Sequence, residues 1–215
     1  LSLDTSIGYI EVLNRLREES THPPLYFCLT HWWFNLWLQE GELVTLEIAR
    51  SLSASFGTLA IPSSFMLAWV PFRSRMVAHF AAVLMALSPY GIYLAQEARH
   101  YTLTVLWVMA SVICLTKTIK LIEQKTTVPI WLGLVWIVIN ALGIATHYFF
   151  VLALGADAIA LLVFWWFNRP DKPLRYFRSL AFAGIGTKAA AEVWLPLIQG
   201  ISDNQMTTRI ATSYE

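Results

Sequence analysis

Between two long apolar stretches, residues 76–94 and 102–115, this chain places Gln96, Glu97, Arg99 and His100. Each stretch is long enough, or nearly so, to cross a bilayer as a helix. A carboxylate and a guanidinium at such a junction cost free energy unless they are paired, hydrated or used. The feature constrains the fold to a membrane protein, and it marks one wet face as the place to look for chemistry.

Composition supports that class. Charged residues make up 13% of the chain and hydrophobic residues 57%, whereas a soluble domain carries about 25% charged residues. A net charge of +1 argues against a nucleic-acid partner. Cys28 and Cys114 are isolated, without metal or redox spacing, and read as packing residues. The chain starts at Leu1 without Met, signal peptide or first anchor, so it is expected to be an internal segment of a longer membrane protein.

The fold expected is all-α: a polytopic transmembrane helical bundle with interfacial juxtamembrane helices. Residues 1–48 are expected to form an extracytoplasmic loop region. Within it, Ile7, Ile10, Leu13 and Leu16 recur at helical spacing, and His22-Pro23-Pro24 breaks that helix. Residues 25–38 carry Tyr26, Phe27, Trp32, Trp33, Phe34 and Trp37. That segment is short for a span, and its aromatics favour the headgroup boundary. A bundle of about six spans follows over residues 49–200, with spans expected at 49–72, 76–94, 101–119, 128–146, 149–167 and 180–199. Residues 201–215 then begin another extracytoplasmic loop.

Charge sets the orientation. Arg73 and Arg75, then Lys117, Lys120 and Lys125, then Arg169, Lys172, Arg175 and Arg178 fall in alternate links. The positive-inside bias puts those links in the cytoplasm. Residues 96–100 and 146–148 then face the other side, together with the N-terminal region.

On this topology His22, Glu97, Arg99, His100, Tyr101, His147 and Tyr148 share the extracytoplasmic face. The planar fork of an Arg suits phosphate, and a carboxylate serves as a base or binds a cation. Bland readings stand beside these: Glu97 and Arg99 neutralising one another, His147 as an interfacial anchor. Asp157 lies inside a span and is expected to face the bundle interior. Lys188 and Glu192 are one turn apart and can pair. No Gly-rich phosphate loop, zinc-spaced His/Cys set or Ser-His-Asp order is present in the sequence.

In order along the chain come Thr21-His22-Pro23-Pro24-Leu25-Tyr26, Ala49-Arg50-Ser51-Leu52-Ser53, Leu87-Ser88-Pro89, Gln96-Glu97-Ala98-Arg99-His100-Tyr101 and Thr146-His147-Tyr148. This ordered set resembles the dolichyl-phosphate-mannose protein mannosyltransferase-like membrane glycosyltransferases of the GT-C fold group, which include aminoarabinose transferase-like bacterial relatives. The resemblance covers nearly the whole chain. It implies an inverting glycosyltransferase that moves a sugar from a polyprenyl-phosphate donor to a lipid, protein or glycan acceptor on the extracytoplasmic face. A bacterial plasma membrane is the implied location.

The resemblance assigns Arg99 to the donor phosphate. It makes Glu97 the acidic partner in the catalytic site. His22, His100, Tyr101, His147 and Tyr148 are substrate-binding residues on this reading. The family's Asp-Glu pair after the first span is absent, and the resemblance places it before Leu1, so this segment is expected to be inactive alone. The resemblance leaves the cofactor open, with a divalent cation as one option. Two other classes remain at this point: a transporter or flippase with Asp157, Lys188 and Glu192 along its path, and a non-catalytic scaffold. The absence of an inverted repeat and of paired broken helices counts against transport.

Overall fold

The computed structural model describes residues 23–38 and 42–168, together with the helical residues Ala181, Gly184, Thr187, Lys188 and Glu192. Among the described residues the regular secondary structure is all helix, and no strand forms. The helices are α1 (Leu25–Trp37), α2 (Leu46–Phe72), α3 (Arg75–Ala86), α4 (Pro89–Gln96), α5 (Tyr101–Glu123), α6 (Ile130–Thr146) and α7 (Phe150–Asn168).

Local chemistry fixes the helix ends. Thr45 caps α2 by accepting from the Ile48 amide at 3.3 Å, and Glu47 sits in the positive first turn. Arg73 ends α2 in the left-handed region at φ 52°, a place where Gly is the usual choice. Ser88 caps α4 by accepting from the Gly91 amide at 3.1 Å, with Pro89 at the first helical position. Inside α2, Ser51, Ser55, Thr58, Ser63 and Ser64 each return their hydroxyl to a backbone carbonyl three or four residues earlier. That local bonding lets an apolar helix carry five hydroxyls without stranding them.

Helices α2, α5 and α7 are long and apolar enough to cross a membrane. Only 11% of the most apolar part of α7 is buried inside the bundle. Leu152, Ile159, Leu162, Trp166 and Phe167 project outward from it, a surface suited to lipid and not to water. The expected span 76–94 is corrected: it is two helices, α3 and α4, bent by 53° at Leu87-Ser88. Counted as one, that pair makes a fourth candidate span. Helix α6 has 17 residues, about 26 Å at 1.5 Å per residue, somewhat short of a hydrocarbon core of about 30 Å. The described residues therefore hold three or four spans of the six expected. The expected span 180–199 falls largely outside the described residues, as do the amphipathic segment before Pro23 and His22 itself.

Lipid tails are as apolar as Leu, so packing and polar contacts between helices decide how the bundle closes. Two glycines sit at close approaches. A Cβ on Gly57 would lie 2.6 Å from Ala95 Cβ, and one on Gly143 would lie 2.5 Å from the Phe150 ring. At the end rich in Lys and Arg, Cys114, Leu115, Ile122, Val128, Leu132 and Trp136 interlock α5 with α6. There Lys120 Nζ also donates to the Pro71 carbonyl at 2.7 Å, tying α5 to the last turn of α2. At the opposite end Tyr26, Leu52 and Leu103 bring α1, α2 and α5 together, flanked by Trp33, Phe56 and Trp107. This second end carries residues 96–101.

Candidate functional site

The short connection between α4 and α5 is held from three sides. Ser53 on α2 is fully buried, and its Oγ donates to the Arg99 carbonyl at 3.0 Å. Tyr26 on α1 donates its hydroxyl to the same Oγ at 2.8 Å. The Arg99 amide bonds the Glu97 carbonyl at 2.8 Å, a tight local turn. Burial pushes the Tyr26 phenol above its ordinary value, and the Ser53 hydrogen bond only partly offsets that. The backbone of residue 99 is thus fixed by a buried chain of hydroxyls while its side chain stays outside.

The charged groups are less committed than the backbone that carries them. Arg99 Nε lies 3.7 Å from Glu97 Oε2, with 63% of the Arg99 side chain exposed and 28% of Glu97. That separation is an ion pair but too long for a hydrogen bond. A pair so exposed is weakened by solvent screening, so an incoming anion can displace it. Glu97 Oε1 accepts the Tyr93 hydroxyl at 2.6 Å, a short charge-assisted bond that orients the carboxylate. A hydrogen bond to Tyr101, then the Glu97 charge, hold the Arg99 guanidinium further above its ordinary value. Arg99 is therefore a permanent cation with most of its donor fork turned to solvent.

Rings from three elements gather beside this pair. His100 and Tyr101 lie at the start of α5, with ring centroids 4.6 Å apart. His147, between α6 and α7, lies 4.7 Å from His100 and 6.2 Å from Tyr101. Tyr26 closes the group, 6.1 Å from His100. His100 is buried and His147 half-buried. The Phe149 amide donates to His147 Nδ1 at 3.1 Å, so a neutral His147 ring carries its hydrogen on Nε2. The 147–149 turn is placed by the His147 amide on the Gly143 carbonyl at 2.9 Å and by Trp107 Nε1 on Thr146 Oγ1 at 3.0 Å. Tyr148 completes the turn, its phenol pushed up by burial.

Six of the seven residues singled out in the sequence, Glu97, Arg99, His100, Tyr101, His147 and Tyr148, therefore lie at one end of the bundle. The seventh, His22, is outside the described residues; its neighbours Pro23 and Pro24 are buried there. Sequence reasoning missed Ser53, Tyr26 and Tyr93 as site-building residues. Ser53 carried a usable signal, being a hydroxyl on an apolar helix near the same end as Arg99. Tyr93, one helical turn before Glu97, carried another.

Asp157 is buried in the interior, as expected. Lys188 and Glu192 pair at 3.6 Å on an exposed surface. Cys114 is buried and Cys28 half-buried, both as free thiols in packed positions. Among the described residues no three His, Cys, Asp or Glu side chains converge as a metal site would require. An exposed guanidinium, an oriented carboxylate and a shelf of rings suit a ligand that joins an anion to a hydroxylated ring. No family model, curated protein or solved structure matches this chain.

Proposed function

We propose that this chain is the membrane-embedded part of a glycosyltransferase that takes a sugar from a polyprenyl-phosphate donor. The observation that carries the reading is the loosely paired Arg99 guanidinium beside Glu97, on a backbone pinned by Ser53 and Tyr26. A lipid-linked donor keeps its tail in the bilayer and its phosphate at the membrane surface. A cation fixed at the end of a helix bundle meets it at that level. Arg99 forks onto the phosphate and stabilises the charge that grows as the anomeric C–O bond breaks. The acceptor hydroxyl or amine attacks the anomeric carbon from the opposite face and gives its proton to a carboxylate. Glu97, its carboxylate oriented by Tyr93, positions the acceptor. Tyr101, His147 and Tyr148 contact the sugar, and the buried His100 packs against the Tyr101 and His147 rings. The acceptor is a lipid, protein or glycan on the extracytoplasmic face of a bacterial plasma membrane, the orientation given by the Lys and Arg links.

The test is sugar transfer from radiolabelled polyprenyl-phosphate donors by the full-length protein in liposomes, comparing wild type with Glu97→Gln and Arg99→Ala. Transfer lost in both variants supports the reading. Transfer unchanged in both sinks the assignment of this site. A transporter is the second reading, favoured by the bend between α3 and α4 and by the buried Asp157. Flux into proteoliposomes without donor turnover would select it.

A further inference from the structure

At the end of the bundle rich in Lys and Arg, Arg73 and Arg75 flank the turn between α2 and α3, and both are exposed. Neither meets a carboxylate of the described residues within ion-pairing distance. The task a cation usually has at a helix C-terminus, covering the last carbonyls, is already taken. Lys120 Nζ donates to the Pro71 carbonyl, and the Arg73 amide donates to the Trp69 carbonyl at 3.0 Å. Arg75 sits in the first turn of α3, where the helix dipole disfavours a cation and no acidic residue offsets it. Arg73 occupies the left-handed region at φ 52°, which Gly adopts more readily. The positive-inside bias asks for basic residues at this end, but helix stability would choose neither of these positions for an arginine.

Directly beyond these charges runs an apolar stripe. Met76, Phe80, Val83, Leu84 and Leu87 recur at the spacing of one helix face, and all are exposed, Met76, Phe80 and Leu84 by 70%, 59% and 71%. Leu87 is eleven positions past Met76, about 16 Å at 1.5 Å per residue. One leaflet of hydrocarbon is about 15 Å deep, half of a core of about 30 Å. The stripe ends where the chain bends by 53° into α4. Off the stripe, His79 Nδ1 donates to the Arg75 carbonyl at 2.6 Å, and its ring packs against Phe65 of α2 with centroids 5.0 Å apart. Those contacts fix the backbone that carries Arg75. Two uncommitted guanidiniums therefore stand at the head of an apolar face one leaflet deep.

We propose that this face binds an anionic glycerophospholipid, its phosphate held by Arg73 and Arg75 and an acyl chain lying along Met76, Phe80 and Leu84. A guanidinium fork matches phosphate oxygens, and basic residues beside an anionic leaflet draw its headgroups. A zwitterionic lipid carries its own cation beside the phosphate and gains less from these two. The stripe decides the source of the phosphate. A soluble phosphate would use the arginines alone, whereas a lipid uses the arginines and the apolar face together. The inference does not rest on the glycosyltransferase reading, whose site lies at the opposite end of the bundle.

The test is thermal unfolding of the purified full-length protein in a neutral detergent, titrated with phosphatidylglycerol, phosphatidylcholine or glycerol 1-phosphate. Phosphatidylglycerol is expected to raise the midpoint saturably, and the other two are not. Arg73→Gln combined with Arg75→Gln is expected to weaken the phosphatidylglycerol effect about 30-fold in concentration, from roughly fivefold for each basic residue beside an anionic leaflet. Arg50→Gln, the same charge change at the other end of α2, is expected to leave it unchanged. Met76→Asn combined with Phe80→Asn keeps both cations and is expected to weaken binding as well. Raised ionic strength gives a second measurement on the wild type alone, in which the phosphatidylglycerol effect should shrink. Equal midpoints in phosphatidylglycerol and phosphatidylcholine overturn the proposal, as does a salt-independent effect. A phosphatidylglycerol preference unchanged in the Arg73 and Arg75 double variant overturns it, since the lipid would sit elsewhere. Glycerol 1-phosphate acting as strongly as the lipid overturns it too, in favour of a soluble anion.

Discussion

Replacing Ser53 by Ala removes one oxygen and tests how the site is built. Ser53 Oγ is fully buried, accepts from Tyr26 at 2.8 Å and donates to the Arg99 carbonyl at 3.0 Å. Its loss strands the Tyr26 hydroxyl, whose residue is 4% exposed. The Arg99 carbonyl, at the edge of the site, can turn to water instead. A stranded buried donor costs about 1–3 kcal/mol and a lost partly exposed bond about 1 kcal/mol more, so Ser53→Ala is expected to destabilise by about 2–4 kcal/mol. Tyr26→Phe, which deletes the donor, is expected to cost about 1 kcal/mol. In the double variant nothing is stranded at Tyr26, so the two effects should fall short of additivity by about 1–3 kcal/mol. Thermal unfolding of the detergent-purified protein, followed by tryptophan fluorescence, measures all three. Trypsin cleavage after Arg99 in the native state adds a local readout and should accelerate in Ser53→Ala. A Ser53→Ala protein within about 0.5 kcal/mol of wild type, additive with Tyr26→Phe, would refute the buried hydroxyl chain.

Three further outcomes are expected. Gly143→Ala puts a methyl 2.5 Å from the buried Phe150 ring, an overpacking expected to cost about 1–3 kcal/mol in the same unfolding assay and to displace the 147–149 turn. Tyr26 has a folded pKa raised above its ordinary value of 10.0, chiefly by burial. Its contribution is therefore fully present below about pH 10 and is lost as pH rises from there through the folded value. Wild type should lose stability above pH 10 more steeply than Tyr26→Phe, measured by unfolding across an alkaline series. Lys120→Met removes the cation that bonds the Pro71 carbonyl at 2.7 Å near the negative end of α2. A loss of about 1–3 kcal/mol is expected, with no change in donor binding at the opposite end of the bundle.

The helix inventory was legible because apolar length and polar links are one-dimensional signals. Residues 49–72, 101–119 and 149–167 each coincide with an observed helix to within a few residues. The bend at Leu87-Ser88 was harder to read. Apolarity continues across it, while Ser88 caps a new helix and Pro89 starts it; a Ser-Pro pair inside an apolar run is the signal. The grouping of Glu97 and Arg99 with His147 followed from the charge pattern of the links, which assigns both loops to one side. What the sequence does not carry is three-dimensional register. Ser53 reaches Arg99 across 46 residues, and Ser111 meets Asn140 and Asp157 across 29 and 46. Each is a small polar residue on an apolar helix, and back-bonded serines such as Ser55 and Ser63 look the same in the sequence. Only packing separates the hydroxyls that bond their own helix from those that bridge to another.

On the glycosyltransferase reading proposed above, Arg99 holds a lipid-linked phosphate at the membrane surface. Equilibrium binding of a polyprenyl phosphate to the full-length protein, wild type against Arg99→Ala, tests it most directly because it needs neither the sugar nor the acceptor. Loss of a charged hydrogen-bond partner should lower affinity about 10- to 150-fold, and wild-type affinity should weaken with added salt. Equal affinity for the two proteins, both well folded, would show that Arg99 does not hold the phosphate.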